Sequence, residues 1–347
     1  MRLIFEDTFD HLSAAVWRAE VSSSGDGNRE FQAYVDRPEN AYIDDDGSGL
    51  VITPTLTPEP WASEMTSGTM EFGEFRQATE DNVLPPVFSA KLTTKDTFSF
   101  LYGRVEFEAR IPSGKWEWPA LWLMPVDSSK PWPAGGEIDV MEARGNVNYT
   151  VDGVDLGNDV FSSTLHWGPD VERNGYAKTT NSSKLSTNGY HIFGLHWTPS
   201  EIFTYLDSTS NVILRANLAD LTSDDYIQPF DKPFYLIMNV AVGGTSLGPV
   251  GSVQETGYWP DAPDKPWRTS DPFPQTSFYR ARDEWYPSWD DGRAAMRVKS
   301  LIKPEGLLEE DALFEHVSSF ARRRTEDILE PVGRLGLEMT DDVQMKI

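Results

Sequence analysis

The sequence predicts an all-β fold, built as a sandwich or jelly roll. Short runs of alternating apolar and polar residues recur from the N-terminus to about residue 302, separated by clusters of Gly, Pro, Asn and Asp. Helical periodicity is almost absent over the same stretch. Many short strands at such spacing favour packed antiparallel sheets over a parallel α/β sheet. At 347 residues the chain is long enough to bury a large core.

Six runs are predicted as strands because their apolar residues alternate with polar ones or form short buried stretches. They are residues 49–56, 102–112, 120–125, 192–197, 202–207 and 234–242. The stretch from Asp261 to Asp291 carries scattered Pro and Trp, and we expect an ordered surface loop there.

The character of the chain changes after Pro304. Apolar residues then recur at helical spacing from Leu307 to Leu329, and Pro331 marks a stop. We therefore divide the chain into a domain over residues 1–302, which carries the site, and a helical C-terminal extension over residues 303–347, which takes no part in the site.

Composition excludes several kinds of partner and site. The chain has no Cys, so disulfides and thiolate chemistry are excluded. A net charge of −25 repels phosphate backbones and anionic lipids, which argues against nucleic-acid and membrane partners. No apolar run reaches the roughly 18 residues of a membrane span, and the N-terminus as given shows no signal peptide. The 12 Trp residues suit either strand packing or stacking against sugar rings.

The most informative stretch is Gly135–Gly145, GGEIDVMEARG, which holds three carboxylates within six residues. In a strand, Glu137 and Asp139 share one face, while Ile138 and Val140 share the other. The two branched apolar residues are those expected on a core face, so the two acids would lie on the opposite, open face.

Glu142 is out of phase with that alternation, which would bury it in the core at a cost of several kcal/mol. A β-bulge at Val140–Met141 would rotate Glu142 back to the face of Glu137 and Asp139. The two glutamates would then lie roughly 13 Å apart at Cα, and their carboxyls could approach to about 5–5.5 Å, as in a retaining glycosidase. Like charges at that separation keep one acid protonated while another stays ionised. From these residues alone, a solvated acidic face or a calcium-binding patch remains an alternative.

Neighbouring segments add aromatic and polar candidates. In KWEWPALWLMP, the indoles of Trp116, Trp118 and Trp122 share one parity, opposite two Leu residues that suit the core. In SSTLHWG, His166 shares a polar face with a Ser and a Thr. If these strands adjoin the acidic strand, all four side chains would line one cleft.

These motifs, in this order, resemble glycoside hydrolase family 16, and specifically its laminarinase-like β-1,3-glucanase branch. The run EIDVME matches the family pattern E-[aliphatic]-D-x-x-E, in which the extra residue before the last Glu is the bulged form. Lichenases and xyloglucan transferases carry the shorter form, so Met141 argues against those branches. Further blocks resemble the family over residues 4–302, among them GNREFQAYV, YGRVEFEARIP, STLHWG and PFYLIMNVAVGG.

The resemblance implies a jelly roll of two curved antiparallel sheets, with a glucan cleft on the concave face and hydrolysis with retention. It makes Glu137 the nucleophile, Asp139 its electrostatic helper and Glu142 the general acid/base. The residues that it places in the cleft as sugar-binding candidates are Trp116, Trp118, Trp122, His166, Asn28, Arg104, Asn239, Trp259 and Trp267.

Three features depart from the family pattern. Lys299 stands where many relatives carry an Asp that contributes to a structural calcium site, so we expect no metal or cofactor. The extension over residues 303–347 has no counterpart in the family core. Family members are secreted, which implies an extracellular location even though no signal peptide precedes the domain in the sequence as given.

The sequence thus predicts a monomeric endo-hydrolase of laminarin-type β-1,3-glucans whose partner is a β-glucan polysaccharide or oligosaccharide. The alternative from another class is a non-catalytic β-glucan-binding recognition protein, since invertebrate proteins of that kind resemble the same scaffold. A third reading keeps the enzyme but changes the substrate to a mixed-linkage glucan or a galactan, because the loops that select the substrate cannot be read from the sequence.

Overall fold

A computed structural model of the chain describes residues 3–45, 47, 49–185, 189–223, 225–245, 258–289 and 292–304. Strands dominate these ranges, and each of the six predicted runs contains a strand. The predicted helical extension beyond Pro304 lies outside the described residues. No helix in the described ranges is both long and apolar enough to cross a membrane.

The strands, numbered in chain order, have the following bounds in the described ranges: β1 Leu3–Asp7, β2 Arg18–Ala19, β3 Gln32–Tyr34, β4 Ala41–Ile43, β5 Leu50–Ile52, β6 Thr55–Leu56, β7 Thr69–Phe72, β8 Glu74–Gln77, β9 Val87–Ser89, β10 Lys91–Thr93, β11 Gly103–Arg110, β12 Glu117–Pro125, β13 Glu137–Ala143, β14 Thr150–Val151, β15 Val154–Asp155, β16 Val160–His166, β17 Thr180–Lys184, β18 His191–Trp197, β19 Glu201–Leu206, β20 Val212–Asn217, β21 Phe234–Val242 and β22 Met296–Pro304. The α-helices are α1 Pro274–Arg280 and α2 Arg282–Trp285, and single 3₁₀ turns cover Asp26–Asn28, Val171–Arg173, Gly175–Lys178, Leu218–Leu221 and Tyr286–Trp289.

Two large antiparallel sheets account for most of these strands. The front sheet has seven described strands in the order β17-β16-β13-β12-β21-β10-β2, so the acidic strand β13 lies near its middle. The back sheet has eight described strands, in the order β20-β19-β18-β11-β22-β5-β4 with β1 added to β22. Short ribbons β7-β8 and β14-β15 and the small sheet β3-β9-β6 complete the described strands.

The main core fills the space between the two sheets. Alternate residues of each strand point into it: Leu121 and Ile138 from the front sheet and Phe107 and Leu195 from the back sheet are each fully buried. The period-2 pattern of the sequence therefore fixes which face of each sheet is dry. It leaves the other face of the front sheet for the acids.

The segment from Asp261 to Asp291 corrects one expectation, because its described part is not a surface loop. It contains α1 and α2, and four of its aromatic side chains are buried: Trp267, Phe278, Trp285 and Trp289. These rings pack together in a second apolar cluster beside the front sheet. Four large aromatics bury enough apolar surface to stabilise a segment whose helices are too short to form alone.

Candidate active site

The acidic strand β13 carries the bulge that the sequence predicts. It pairs with β16 at Asp139↔Thr164 and next at Glu142↔Ser162, so three steps on β13 oppose two on its neighbour. The pairing with β12 shifts at the same place. The extra residue lets Val140 and Met141 both face the core, where they are 1% and 0% exposed. Burial of two apolar side chains, worth roughly 1.5–3 kcal/mol each, stabilises a bulge that turns Glu142 outward.

Glu137, Asp139 and Glu142 consequently lie on one face of the front sheet, which we call the acid face. Cross-strand pairs identify their neighbours on it: His166 is opposite Glu137, and Trp122 is opposite Asp139. Directly paired residues share a face of the sheet. The structure therefore places Trp122 and His166 on the same face as the three acids.

Asp139 is the most enclosed of the acids, with 2% of its surface exposed. Burial raises its pKa well above the ordinary value, and the charges of Glu137 and Glu142 and a hydrogen bond with Glu137 raise it further. In that setting the protonated form of the carboxyl is favoured, and it can donate a hydrogen bond to its neighbour. Asp139 thus provides a hydrogen bond to Glu137 from the floor of the site.

Glu142 has an environment suited to a proton donor. Desolvation raises its pKa, and the charge of Glu137 adds to the rise, while His166, the indole N–H of Trp118 and Arg144 act against it. Trp118 Nε1 donates to Glu142 Oε1 over 2.9 Å. The carboxyl is therefore held in one orientation and inclined to keep its proton.

Glu137 is oriented by Trp132, a residue that the sequence analysis did not select. Trp132 Nε1 donates to Glu137 Oε2 over 2.7 Å, and its indole is 40% exposed. Trp132 lies five residues before Glu137 and is followed by a Pro, outside any run of alternating residues. Only its closeness in sequence to the acidic run could have suggested its role.

His166 completes the charged cluster from β16. Its Nε2 lies 3.3 Å from Asp139 Oδ2 and 4.0 Å from Glu137 Oε1. Its Nδ1 lies 2.9 Å from Nδ2 of Asn174, which can only donate. The Nε2 atom therefore carries the proton, on the side of the ring that faces the two carboxyls.

Beyond Trp122, the acid face continues into a buried polar network. Trp122 is half-buried, and its Nε1 donates to Asn239 Oδ1 over 2.6 Å. Asn239 Nδ2 in turn lies 2.9 Å from the hydroxyl of Tyr34, which contacts Glu30. Asn239 is thus a buried link under the Trp122 indole, which keeps a partly open position on the face.

Asn28 and Lys91 close the far end of that network. Asn28 hydrogen-bonds Glu30, whose pKa burial, with a further contribution from Asp26, raises to about 7. Lys91 Nζ binds Glu20 and Asp26 and lies 5.3 Å from the Trp122 ring centroid. This end of the acid face therefore mixes both signs of charge around one indole.

Three predicted sugar-binding indoles are placed elsewhere, and the expectation for them is corrected. Trp116, Trp259 and Trp267 are each 1% exposed, and Trp116 contacts the other two rings edge to face at centroid distances of 5.3 and 5.1 Å. Trp116 precedes β12 with φ of 68°, so it does not follow the strand parity used in the sequence analysis. The three rings pack as a support beneath the site and offer no face to a ligand.

The expected position of Arg104 in the cleft is also corrected. It lies on β11 in the back sheet, between core residues, on the outer face of that sheet. Its neighbours there are Glu106, 3.7 Å away, and its cross-strand partner His196. A family-like sequence block does not reveal which of two sheets a residue joins, so the resemblance misplaced this side chain.

Three side chains of the acid face lie close enough together to be possible metal ligands. In the described part of the chain, Glu137, Asp139 and His166 bring one possible ligand atom each to within 4.8 Å of one another. All three lie with Glu142 on the acid face, so they belong to the candidate active site.

Two glutamates that flank an aspartate on the open face of a β-sandwich, beside indoles and a histidine, define a glycoside hydrolase type of site. The profile of Glycosyl hydrolases family 16 matches residues 63–258. The chain belongs to this family.

Similar proteins include both binders and enzymes. The chain is 36% identical over 339 residues to a β-1,3-glucan-binding protein of Penaeus monodon, covering 85% of this chain and 88% of that protein. It is 31% identical over 282 residues to glucan endo-1,3-β-glucosidase A1 of Niallia circulans, covering 77% of this chain but only 36% of that protein. The solved laminarinase of Rhodothermus marinus superimposes with a TM-score of 0.58 at 25% identity, over 88% of this chain and 98% of that one. The predicted jelly roll of curved antiparallel sheets and the laminarinase-like family are confirmed.

Proposed function

We propose that the chain is a retaining endo-hydrolase of laminarin-type β-1,3-glucans. The observation that carries the proposal is the intact set of Glu137, Asp139 and Glu142 on the acid face, with a raised pKa at Glu142 and an indole N–H on each glutamate. Acids clustered so that their pKa values are raised are typical of catalytic sites, and sugar binding alone does not require them.

The chemistry follows a double displacement. In the first step, Glu137 attacks the anomeric carbon, a carboxylate–carbon bond forms, and the bond to the leaving sugar breaks as Glu142 protonates its oxygen. In the second step, Glu142 takes a proton from water, which attacks the same carbon and releases Glu137. Asp139 donates a hydrogen bond to Glu137 in the free site, which holds that carboxylate ready.

Hydrolysis of laminarin tests the proposal directly. We expect new reducing ends from the polymer, with oligosaccharides formed early, as an endo-acting enzyme gives. A proton NMR time course should show the β-anomer first. Absence of any new reducing end excludes hydrolysis, and first appearance of the α-anomer excludes retention.

A second candidate function is β-glucan binding without turnover. The 36% identity over 339 residues to a protein named as β-1,3-glucan-binding favours it. Binding would use the same face, with the half-buried Trp122 and the exposed Trp132 as sugar platforms. Retention of the chain on insoluble β-1,3-glucan with no release of reducing sugar would support this function over hydrolysis.

We also propose which glycosidic linkage the polysaccharide partner contains. A β-1,3-glucan is favoured because the Niallia circulans and Rhodothermus marinus relatives carry that specificity in their names, as a glucan endo-1,3-β-glucosidase and a laminarinase. A panel of laminarin, a mixed-linkage glucan and a red-algal galactan separates these substrates. We further propose a secreted monomer, which size-exclusion chromatography and secretion from the native cells would test.

Lys299 stands where the family resemblance leads us to expect an Asp that contributes to a calcium site, and an ammonium group cannot supply the oxygen ligand that calcium needs. Its Nζ lies 2.8 Å from Glu108 Oε1. The hydroxyl of Ser300 also binds Glu108. We propose that the fold needs no metal or cofactor, since the lysine itself neutralises this carboxylate.

A further inference from the structure

Three side chains form a stack that ends at Glu142. The guanidinium carbon of Arg144 lies 3.9 Å from the ring centroid of Tyr258, and that ring lies 3.7 Å from the Trp118 ring at an interplanar angle of 3°. Trp118 Nε1 then donates to Glu142 Oε1 over 2.9 Å. A cation, a phenol and an indole are therefore layered on one another behind a single carboxyl.

The stack closes on itself through the backbone. Arg144 lies two residues after Glu142 and just beyond the end of β13, and its Nε donates to the carbonyl oxygen of Tyr258 over 3.0 Å. A second guanidinium nitrogen binds the same oxygen. The residue that fixes Tyr258 is thus on the same short segment as the carboxyl that Tyr258 indirectly supports.

This arrangement explains why Trp118 is not an open sugar platform. The residue is 8% exposed, and the ring of Tyr258 is stacked on one face of its indole. Because the two rings are coplanar, Tyr258 limits rotation of the indole and so helps to set the direction of its N–H. The hydroxyl of Tyr258 is buried with no hydrogen-bond partner in the described residues, so the ring itself makes the contact that matters.

We propose that Tyr258 is a positioning residue for the general acid, acting through Trp118. This inference rests on the proposed hydrolytic function. Because the indole N–H occupies Oε1 of Glu142, the acidic proton is confined to Oε2, and the stack determines where that oxygen points. In the first step this proton goes to the glycosidic oxygen as the sugar–oxygen bond breaks.

Several charged groups face Glu142, so a shift in the pH profile alone would be ambiguous. These groups are Glu137 and Asp139 on its own strand, Arg144 just after that strand, His166 on β16 and Tyr258 after β21. The dependence on the leaving group is a cleaner measurement. A leaving group that departs as a stable anion needs no proton, so a defect confined to the acid disappears with it.

The test compares two substrates of the full-length protein. One is an unmodified β-1,3-gluco-oligosaccharide and the other is a 2,4-dinitrophenyl β-1,3-gluco-oligosaccharide. For Tyr258→Leu we expect kcat/KM to fall roughly 10–100-fold on the first substrate and less than about 3-fold on the second. Tyr258→Phe keeps the stacked ring and should stay within about 3-fold of wild type on both.

A second pair of variants guards against a folding defect at Tyr258. Arg144→Lys keeps the charge but loses the flat guanidinium, and we expect a loss on the unmodified substrate that the activated substrate does not share. Trp118→Phe removes the N–H. Combined with Tyr258→Leu, it should lower kcat/KM no further than Trp118→Phe does alone, because both changes act through one hydrogen bond.

The outcomes test the hydrolytic function and the positioning role of Tyr258 separately. A wild-type protein that cleaves neither substrate overturns the proposed function, and the inference falls with it. A wild type that cleaves both, with Tyr258→Leu impaired equally on both, overturns only the role of Tyr258. Full additivity of the Trp118 and Tyr258 losses also overturns it, since the residues would then act independently.

Discussion

The outer faces of the two sheets treat charge in opposite ways. On the back face, which is the outer face of the back sheet, opposite charges are paired: Arg104 with Glu106, and Lys299 with Glu108. On the acid face of the front sheet, three carboxylic acids share one neighbourhood with a single histidine.

The comparison shows how an ordinary solvent-exposed face differs from a face that carries a candidate site. Paired charges on an exposed sheet cost little and contribute little, about 0–1 kcal/mol per pair. Like charges held together raise pKa values at the expense of stability, and a fold keeps them where chemistry requires them. Four predictions use this contrast, and the first three each have a matched control variant.

The largest effect is expected from insertion of one Ala between Met141 and Glu142, next to the bulge. The insertion shifts Glu142 by one residue relative to Glu137 and Asp139 and turns it toward the apolar core, so activity should be lost and the free energy of unfolding should fall by about 3 kcal/mol or more. Met141→Leu keeps the backbone and should remain near wild type. Laminarin hydrolysis and thermal melts of both variants measure this. An active insertion variant would show that the bulge does not place the acid.

Glu142→Gln should reduce kcat/KM on laminarin by about 10²–10⁴-fold, because Gln cannot donate the proton. The matched change Glu106→Gln on the back face keeps an acceptor for the hydroxyl of Tyr205, which lies 2.6 Å from Glu106, and should leave activity within about 2-fold. Similar losses in the two variants would remove the distinction between the faces.

Asp139→Asn should stabilise the fold at neutral pH while it lowers activity. The pKa of Asp139 is raised in the folded state, so above the ordinary pKa the folded protein holds more protons than the unfolded one. Stability then falls as pH rises toward the folded-state pKa, and Asn removes that loss. We expect a gain of about 0.5–2 kcal/mol at pH 8 that fades toward pH 4.

Glu108→Gln provides the control for that experiment. It removes the carboxylate from an opposite-charge pair with Lys299, so it should give no gain at pH 8. Melting temperatures of both variants at pH 4, 6 and 8 are sufficient. A pH-independent gain in the Asp139 variant would mean that better packing, and not removal of a charge, is responsible.

The smallest effect is expected at Lys299. Lys299→Met should change the free energy of unfolding by less than about 1 kcal/mol, since the pair is partly exposed. Neither added calcium nor a chelator should move the melting temperature of the wild type. A melting temperature that rises with calcium would contradict the proposal that the fold needs no metal.

The site was predictable where local pattern alone decides it. Alternation along the acidic strand shows that Glu142 is out of phase with Glu137, and a one-residue bulge brings both onto the same face. Trp116 shows the limit of the same method. Its backbone has φ of 68°, outside the strand, so the parity rule did not apply to it.

Contacts between distant segments could not be read in this way. Tyr258 reaches Trp118, and Asn239 reaches Trp122, each across more than a hundred residues of sequence. Arg104 shows the converse, since its segment resembles a cleft block although its strand lies in the other sheet. Periodicity gives the face of a strand and says nothing of which strands adjoin it.

The sequence by itself determined the β-sandwich class, the dry face of each strand, the bulge and the identity of the three acids. These follow from side-chain alternation, which is a local property of an extended chain. Only the tertiary structure decided which groups surround the acids, because burial and pKa depend on every element packed nearby. It placed Trp132 and Trp118 on the two glutamates, and it moved Trp116 into a supporting cluster.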